Sequence, residues 1–95
     1  MGAREAYQKK MESQLKEWNA KIDGLRARAE RASADIQIEY YEQIDTLRTK
    51  QEAAQSKLQE LKRAGGNAWQ DLKAGVETAW KELRNTMDNA VSKFK

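Results

Sequence analysis

From Tyr7 onward, apolar side chains recur at steps of three and four: Tyr7, Met11, Leu15, Trp18, Ile22, Leu25, Ala29, Ala32, Ile36, Tyr40, Ile44, Leu47, then Gln51, Ala54, Leu58 and Leu61. An α-helix has about 3.6 residues per turn, so this spacing keeps one stripe on one side and predicts an amphipathic helix packed on other helices. Threes and fours mostly alternate, as in heptads. From Ala32 through Ile36 and Tyr40 to Ile44 three fours follow one another, a stutter that locally unwinds a left-handed supercoil. The stripe keeps phase throughout. It therefore predicts one long helix over about residues 4–63, roughly 90 Å at 1.5 Å per residue.

A second pattern follows Gly65-Gly66. The tail aligns with itself as AWQDLKAGVET, AWKELRNTMDN and AVSKFK, a repeat of eleven residues. Eleven residues make almost three turns, so equivalent side chains stay stacked with about 20° of drift. Trp69, Leu72, Val76, Trp80, Leu83, Met87, Val91 and Phe94 fall in one arc of roughly 100°, with Lys73 and Arg84 along its edge. The pattern predicts an amphipathic helix over residues 68–94.

Between them, LKRAGGNAWQDL at residues 61–72 reads as a corner, with the turn at 64–67. Lys62 and Arg63 complement the negative end of the first helix. Gly65 is expected in the left-handed position after that helix, with Gly66 following. Asn67 and Gln70 have the spacing of a capping box, and Asp71 suits the positive end of the next helix. A phosphate loop needs a Gly-rich motif after a strand, which this stretch lacks. The glycine pair is a hinge that folds the tail back or lets it swing away.

Folding the tail back sets Trp69 near Leu61, Trp80 near Gln51, Leu83 near Leu47, Met87 near Ile44 and Phe94 near Ile36. The first thirty residues then still need a partner. A turn near Ala32-Ser33-Ala34 gives a monomeric three-helix bundle, with Arg26–Arg31 laid against Asp35–Asp45. The alternative pairs two copies antiparallel about residue 33 with the long helix unbroken. RAERASADIQ has no glycine or proline, and Ala and Arg favour helix, so the pattern favours the dimer of helical hairpins.

Composition supports an all-α chain. Of 95 residues none is proline, cysteine or histidine, and 39% are hydrophobic. Mean hydropathy is −1.02, so the apolar side chains form stripes and not a thick core. Such a chain reads as one domain, residues 1–95. The net charge of +3 is spread over 18 basic and 15 acidic side chains, thoroughly mixed. Glu5–Lys9, Glu12–Lys16, Glu17–Lys21 and Glu77–Lys81 pair along helix faces, which is how a solvated surface reads. Arg26, Arg28 and Arg31 come closest to a nucleic-acid footprint, but Glu30 interrupts them and acidic residues follow. No apolar run approaches membrane-spanning length, so a cytoplasmic protein is expected, in solution or peripheral to a membrane.

The runs YQKKMESQLKEWNAKIDGL, YYEQIDTLRTKQEAA and ELKRAGGNAWQDLKAGVETAWKEL together resemble a family of small bacterial coiled-coil proteins linked to stress response. The resemblance rests on Tyr7, Leu15, Trp18, Ile22, Leu25, Tyr40, Ile44, Leu47, Trp69, Leu72, Gly75, Trp80 and Leu83. It implies an all-helical cytoplasmic protein and supplies no reaction, cofactor or catalytic residue.

Without His or Cys, acid–base or nucleophilic chemistry would fall to carboxylates, Lys, Tyr or Ser, and many carboxylates have a helical Lys or Arg neighbour. Bundle metal sites pair inward Glu with His, which is missing here. Tyr40 lies on the stripe and reads as core, while Tyr41 lies a step off it. We therefore expect no enzyme, no catalytic or metal site, no cofactor, no small-molecule substrate and no specific nucleic acid. Two functions remain. One is a self-associating structural or interaction protein built on Tyr7, Leu15, Trp18, Ile22, Leu25, Ile36, Tyr40, Ile44 and Leu47, as a dimer or higher assembly. The other is a protectant or binder of lipid surfaces or client proteins that uses the tail's apolar face.

Overall fold

The apolar stripe does not run along a single helix; it folds on itself at Ala32 and Ser33. The structure, a computed structural model, describes residues 2–94. Among the described residues, α1 (Ala3–Arg31), α2 (Ala34–Arg63) and α3 (Ala68–Lys93) form an up-down-up bundle of 52 × 21 × 18 Å, with no strand. The unbroken helix expected over residues 4–63 is thus two helices of 29 and 30 residues. Contacts that the antiparallel pair would make between chains are made within one.

Helix propensity separates ordinary residues by only a few tenths of a kcal/mol. Burying one Leu, Ile or Val is worth about 1.5–3 kcal/mol. Closing the turn buries Ile22, Leu25 and Ala29 of α1 in one core with Tyr40, Ile44 and Leu47 of α2, so packing overrides local preference. Ala32 (φ −85°, ψ 162°) and Ser33 (φ −65°, ψ 160°) are extended, and the Ser33 carbonyl accepts the Gln37 amide at 2.8 Å. The phase of the stripe survives because both helices turn it towards the same core.

The second corner departs from the expected one in two details, the left-handed glycine and the capping box. The left-handed residue is Gly66 (φ 59°), not Gly65. Ala64 caps α2 in an extended conformation, its amide bonded to the Leu61 carbonyl at 3.1 Å. Asn67 precedes α3 but already has helical dihedrals (φ −71°, ψ −25°) and makes no side-chain cap. A capping side chain reaches the first free amides from an extended backbone, so the Asn67–Gln70 capping box is not formed. The two glycines should therefore answer differently to a methyl group. Gly66→Ala is expected to cost about 1–2 kcal/mol, the penalty of a left-handed Ala. Gly65→Ala has open space and no such strain, and is expected to be neutral or stabilising by up to about 1 kcal/mol. Paired chemical denaturation curves check this, and equal effects would contradict the assignment.

Helix α2 packs closely on both neighbours, while α1 and α3 meet mainly through large side chains. Those two run parallel with an offset of 62 residues, seen in Arg4–Gly66 and kept by Tyr7–Trp69 and Trp18–Trp80. Against α2, Arg48 reaches Asn19 at 2.8 Å and Asp23 at 3.1 Å, and Lys62 reaches Glu12 at 2.6 Å. The register of α3 on α2 is shifted from the expected one. Phe94 stacks on Tyr40, with ring centroids 3.8 Å apart and planes at 17°, one turn inward from Ile36. The expected register matched two helices alone. A third helix adds aromatic pairs worth about 0.5–1.5 kcal/mol each beyond their buried area.

Candidate interaction surfaces

Of the side chains singled out for packing, Trp18, Ile22, Leu25, Tyr40, Ile44, Leu47, Trp69, Val76, Trp80, Leu83, Met87 and Phe94 are buried in one core. Tyr7, Leu15 and Leu72 lie half-buried against it. Two do not belong to it. Ile36 is 43% exposed because Phe94 stops one turn short of it, and Val91 is 38% exposed because Ala90 faces inward on that turn. Ala90 was hidden from the repeat, which places Val beside the alanine where the earlier units place Trp.

Where α1 begins and α3 begins, the parallel helices bring together Arg4, Tyr7, Trp69, Lys73 and Glu77. The Tyr7 and Trp69 rings meet edge to face at 5.7 Å. The Arg4 guanidinium lies 5.0 Å from the Trp69 ring centre and donates to the Gly66 carbonyl at 3.3 Å, tying the hinge to α1. The Lys73 ammonium lies 5.0 Å from Tyr7 and 5.8 Å from Trp69, with Glu77 at 4.0 Å. Cations over aromatic faces contribute about 0.5–1 kcal/mol each where exposed and about 2 kcal/mol where desolvated. Arg4 lies off the apolar stripe, and only the folded register reveals its partners.

Burial, and then the nearby Glu77 charge and the hydrogen bond that the phenol donates to it at 3.5 Å, push Tyr7 up to about 12. The fold thus favours the neutral phenol. Its contribution is complete below the ordinary value of 10 and is lost as pH rises through about 12. The stability difference between the parent and Tyr7→Phe should accordingly shift against the parent across that interval. Denaturation at a series of alkaline pH values checks it, and a constant difference would contradict the raised value.

On the α1–α2 side an open groove of about 440 Å³ has Leu15 and Leu58 among its lining, with Asn19, Gln51, Gln55 and Gln59 along its walls. It offers amide hydrogen bonds over a small apolar floor. Its carboxylate, Glu12, is engaged by Lys62. Among the described residues no group of three His, Cys, Asp or Glu could hold a metal ion. No described helix is long and apolar enough to cross a membrane.

The outside of α2 carries the largest departure from a polar surface. Ile38 is 59% exposed and Tyr41 41% exposed. At 100° per residue, Ile38, Glu42 and Asp45 lie on the face turned from the core residues Tyr40, Ile44 and Leu47, and Tyr41 lies on the flank between that face and the core. The sequence hint was the alternation IQIEYY, in which Ile38 and Tyr41 fall off the helical stripe. Comparison with protein-family models, with curated proteins and with solved structures finds no match. Fold and surface define the chain as an antiparallel three-helix bundle with an apolar patch outside its core.

Proposed function

We propose that the chain is a non-enzymatic structural and interaction protein that self-associates, and that it serves the bacterial stress response its resemblance implies. The observation that carries this reading is the set of large apolar side chains left outside the finished bundle, Ile38 and Tyr41 above all. A bundle that already buries both stripes within one chain has no need of a partner for folding. Its outer face is then where association is driven, and burying Ile38 and Tyr41 against another surface would remove their apolar area from water. Light scattering tests it: association gives a mass that rises with concentration to a multiple of 10.9 kDa. A mass fixed at 10.9 kDa into the millimolar range overturns it.

A second reading, reversible contact of α3 with a lipid surface or client protein, is favoured by one observation. The indole N–H groups of Trp69 and Trp80 are buried without a hydrogen-bond partner. Each such group costs about 1–3 kcal/mol, and a membrane interface, where Trp collects, offers acceptors. Asp71, Glu77, Glu82 and Asp88 balance Lys73, Lys81, Arg84 and Lys93, so zwitterionic lipid suits the helix as well as anionic lipid. Phosphatidylcholine vesicles that shift tryptophan emission would support it; unchanged emission would count against it.

A further inference from the structure

The expectation that the turn would set Arg26–Arg31 against Asp35–Asp45 is not met by any ion pair among the described residues. The flanks of the helices give the reason. Glu12, Asn19 and Asp23 bond to side chains of α2 and so mark the α2 flank of α1. At 100° per residue, Lys10, Lys21 and Arg28 lie on the opposite flank of that helix, beside α3. On α3, the Lys73 ammonium lies 5.0 Å from the centre of the Tyr7 ring and marks the α1 flank. Arg84, eleven residues further on, falls within about 20° of Lys73 on the same flank.

The parallel register sets these cations level with one another. Tyr7 meets Trp69 and Trp18 meets Trp80. Each ring pair is followed by a lysine three residues on in α1 and by a cation four residues on in α3. Lys10 is thus level with Lys73 and Lys21 with Arg84, while Arg4 lies over Trp69 at the end of the seam. Six cations, Arg4, Lys10, Lys21, Arg28, Lys73 and Arg84, border the seam against three acids, Glu17, Glu77 and Asp88. The back of α2 has the opposite sign, with Asp35, Glu42, Asp45, Glu52 and Glu60 against Arg63. Charges that are mixed along the chain are sorted across the bundle. We propose that the α1–α3 seam is the docking face for an anionic phospholipid surface.

What lies between the cations selects lipid. The seam holds the rings of Tyr7, Trp18, Trp69 and Trp80, and α1 and α3 meet mainly through such side chains. The Trp69 and Trp80 indole N–H groups and the Gln14 amide oxygen are buried there without hydrogen-bond partners, Gln14 on the α3 flank of α1. When α1 and α3 spread on a bilayer, each still held by α2, the rings keep an apolar surrounding and the indoles gain phosphate and ester acceptors. Anionic headgroups neutralise the cations along the rim. On α3 alone the charges balance, so the preference for anionic lipid arises only because α1 lies alongside. The acidic back of α2 is repelled by the same surface, which fixes the orientation. A single-stranded nucleic acid needs open rings on which to stack its bases, and these rings are paired with one another inside the bundle.

The inference rests on the lipid reading of α3, and the choice of vesicle and variant separates the two. Vesicles of phosphatidylcholine with phosphatidylglycerol are expected to bind the chain at least about tenfold tighter than phosphatidylcholine alone, a gain that falls with salt. Co-flotation and tryptophan emission read the binding. Each cation near such a surface contributes about fivefold, so Lys10→Gln with Lys21→Gln is expected to lose at least about tenfold on the anionic vesicles. Lys9→Gln with Lys16→Gln removes the same charge from the same helix, on the flank where Lys16 lines the α1–α2 groove. That variant is expected to stay within about twofold of the parent, because its lysines lie beyond a screening length from the surface. All four lysines are exposed, and far-UV circular dichroism checks that each variant folds. If neither vesicle binds, the lipid reading falls and this inference with it. If vesicles bind regardless of composition, or the two variants lose equally, lipid contact stands and this face is wrong. A single-stranded oligonucleotide bound more tightly than either vesicle also overturns the assignment.

Discussion

Trp80→Ala lowers the stability of the bundle by about 3–5 kcal/mol, the cost of deleting a large buried ring. Trp80 is 3% exposed in the middle of α3, its ring centroid 6.0 Å from that of Trp18 with planes at 52°. This pair spans the gap between α1 and α3, which approach each other mainly through such side chains. Because the indole N–H has no partner, no hydrogen bond is lost with it, and removing that buried donor offsets part of the packing loss. Small domains have total stabilities of about 5–15 kcal/mol, so the loss is a large share. Urea denaturation followed by circular dichroism measures it. Adding Trp18→Ala should then cost less than it does alone, with a coupling of about 0.5–1.5 kcal/mol for the aromatic pair. Val91→Ala and Ile36→Ala, although named by the same periodicities, should stay within about 0.5 kcal/mol because both are exposed. If Trp80→Ala costs no more than these, α1 and α3 are not joined as described.

Periodicity located the buried face along most of the chain, because a side chain's angle on a helix follows from its position alone. Trp18, Ile22, Leu25 and Leu47 are buried for that reason, as are Trp69, Val76, Trp80 and Leu83. What an angle cannot convey is where a neighbouring helix stops. Ile36 has a core-facing angle yet lies past Phe94 and meets water. Nor does it give the register of a third helix, which moved Phe94 onto Tyr40 and set Trp80 against Trp18. The pins that hold the hinge were hidden for the same reason. Arg4 and Gly66 become neighbours only when α1 and α3 lie parallel. The exposed face of α2 was partly legible, in the isoleucine and tyrosine that the helical stripe does not use.

The break at Ala32-Ser33 left one trace, the run of three fours beginning at Ala32, and a proline can test what it means. Ser33 has φ −65° and ψ 160°, and its amide donates to no backbone carbonyl. Those are the dihedrals that a pyrrolidine ring imposes, and the missing N–H costs nothing there. Ala32 before it, at φ −85° and ψ 162°, already occupies the extended region that a following proline requires. Ser33→Pro is therefore expected to stabilise the bundle by about 0.4–1 kcal/mol by restricting the unfolded chain. A continuous helix through residues 31–35 would respond in the opposite direction, losing about 3 kcal/mol or more to the clash and the broken hydrogen bond. The two architectures thus differ in the sign of one measurement, a denaturation midpoint that rises or collapses. The same substitution bears on assembly. It forbids any dimer that exchanges α1 through an unbroken helix, yet leaves Ile38, Tyr41 and the charges beside them untouched. Self-association that survives Ser33→Pro must use an outer surface, and self-association lost with it must come from opened chains.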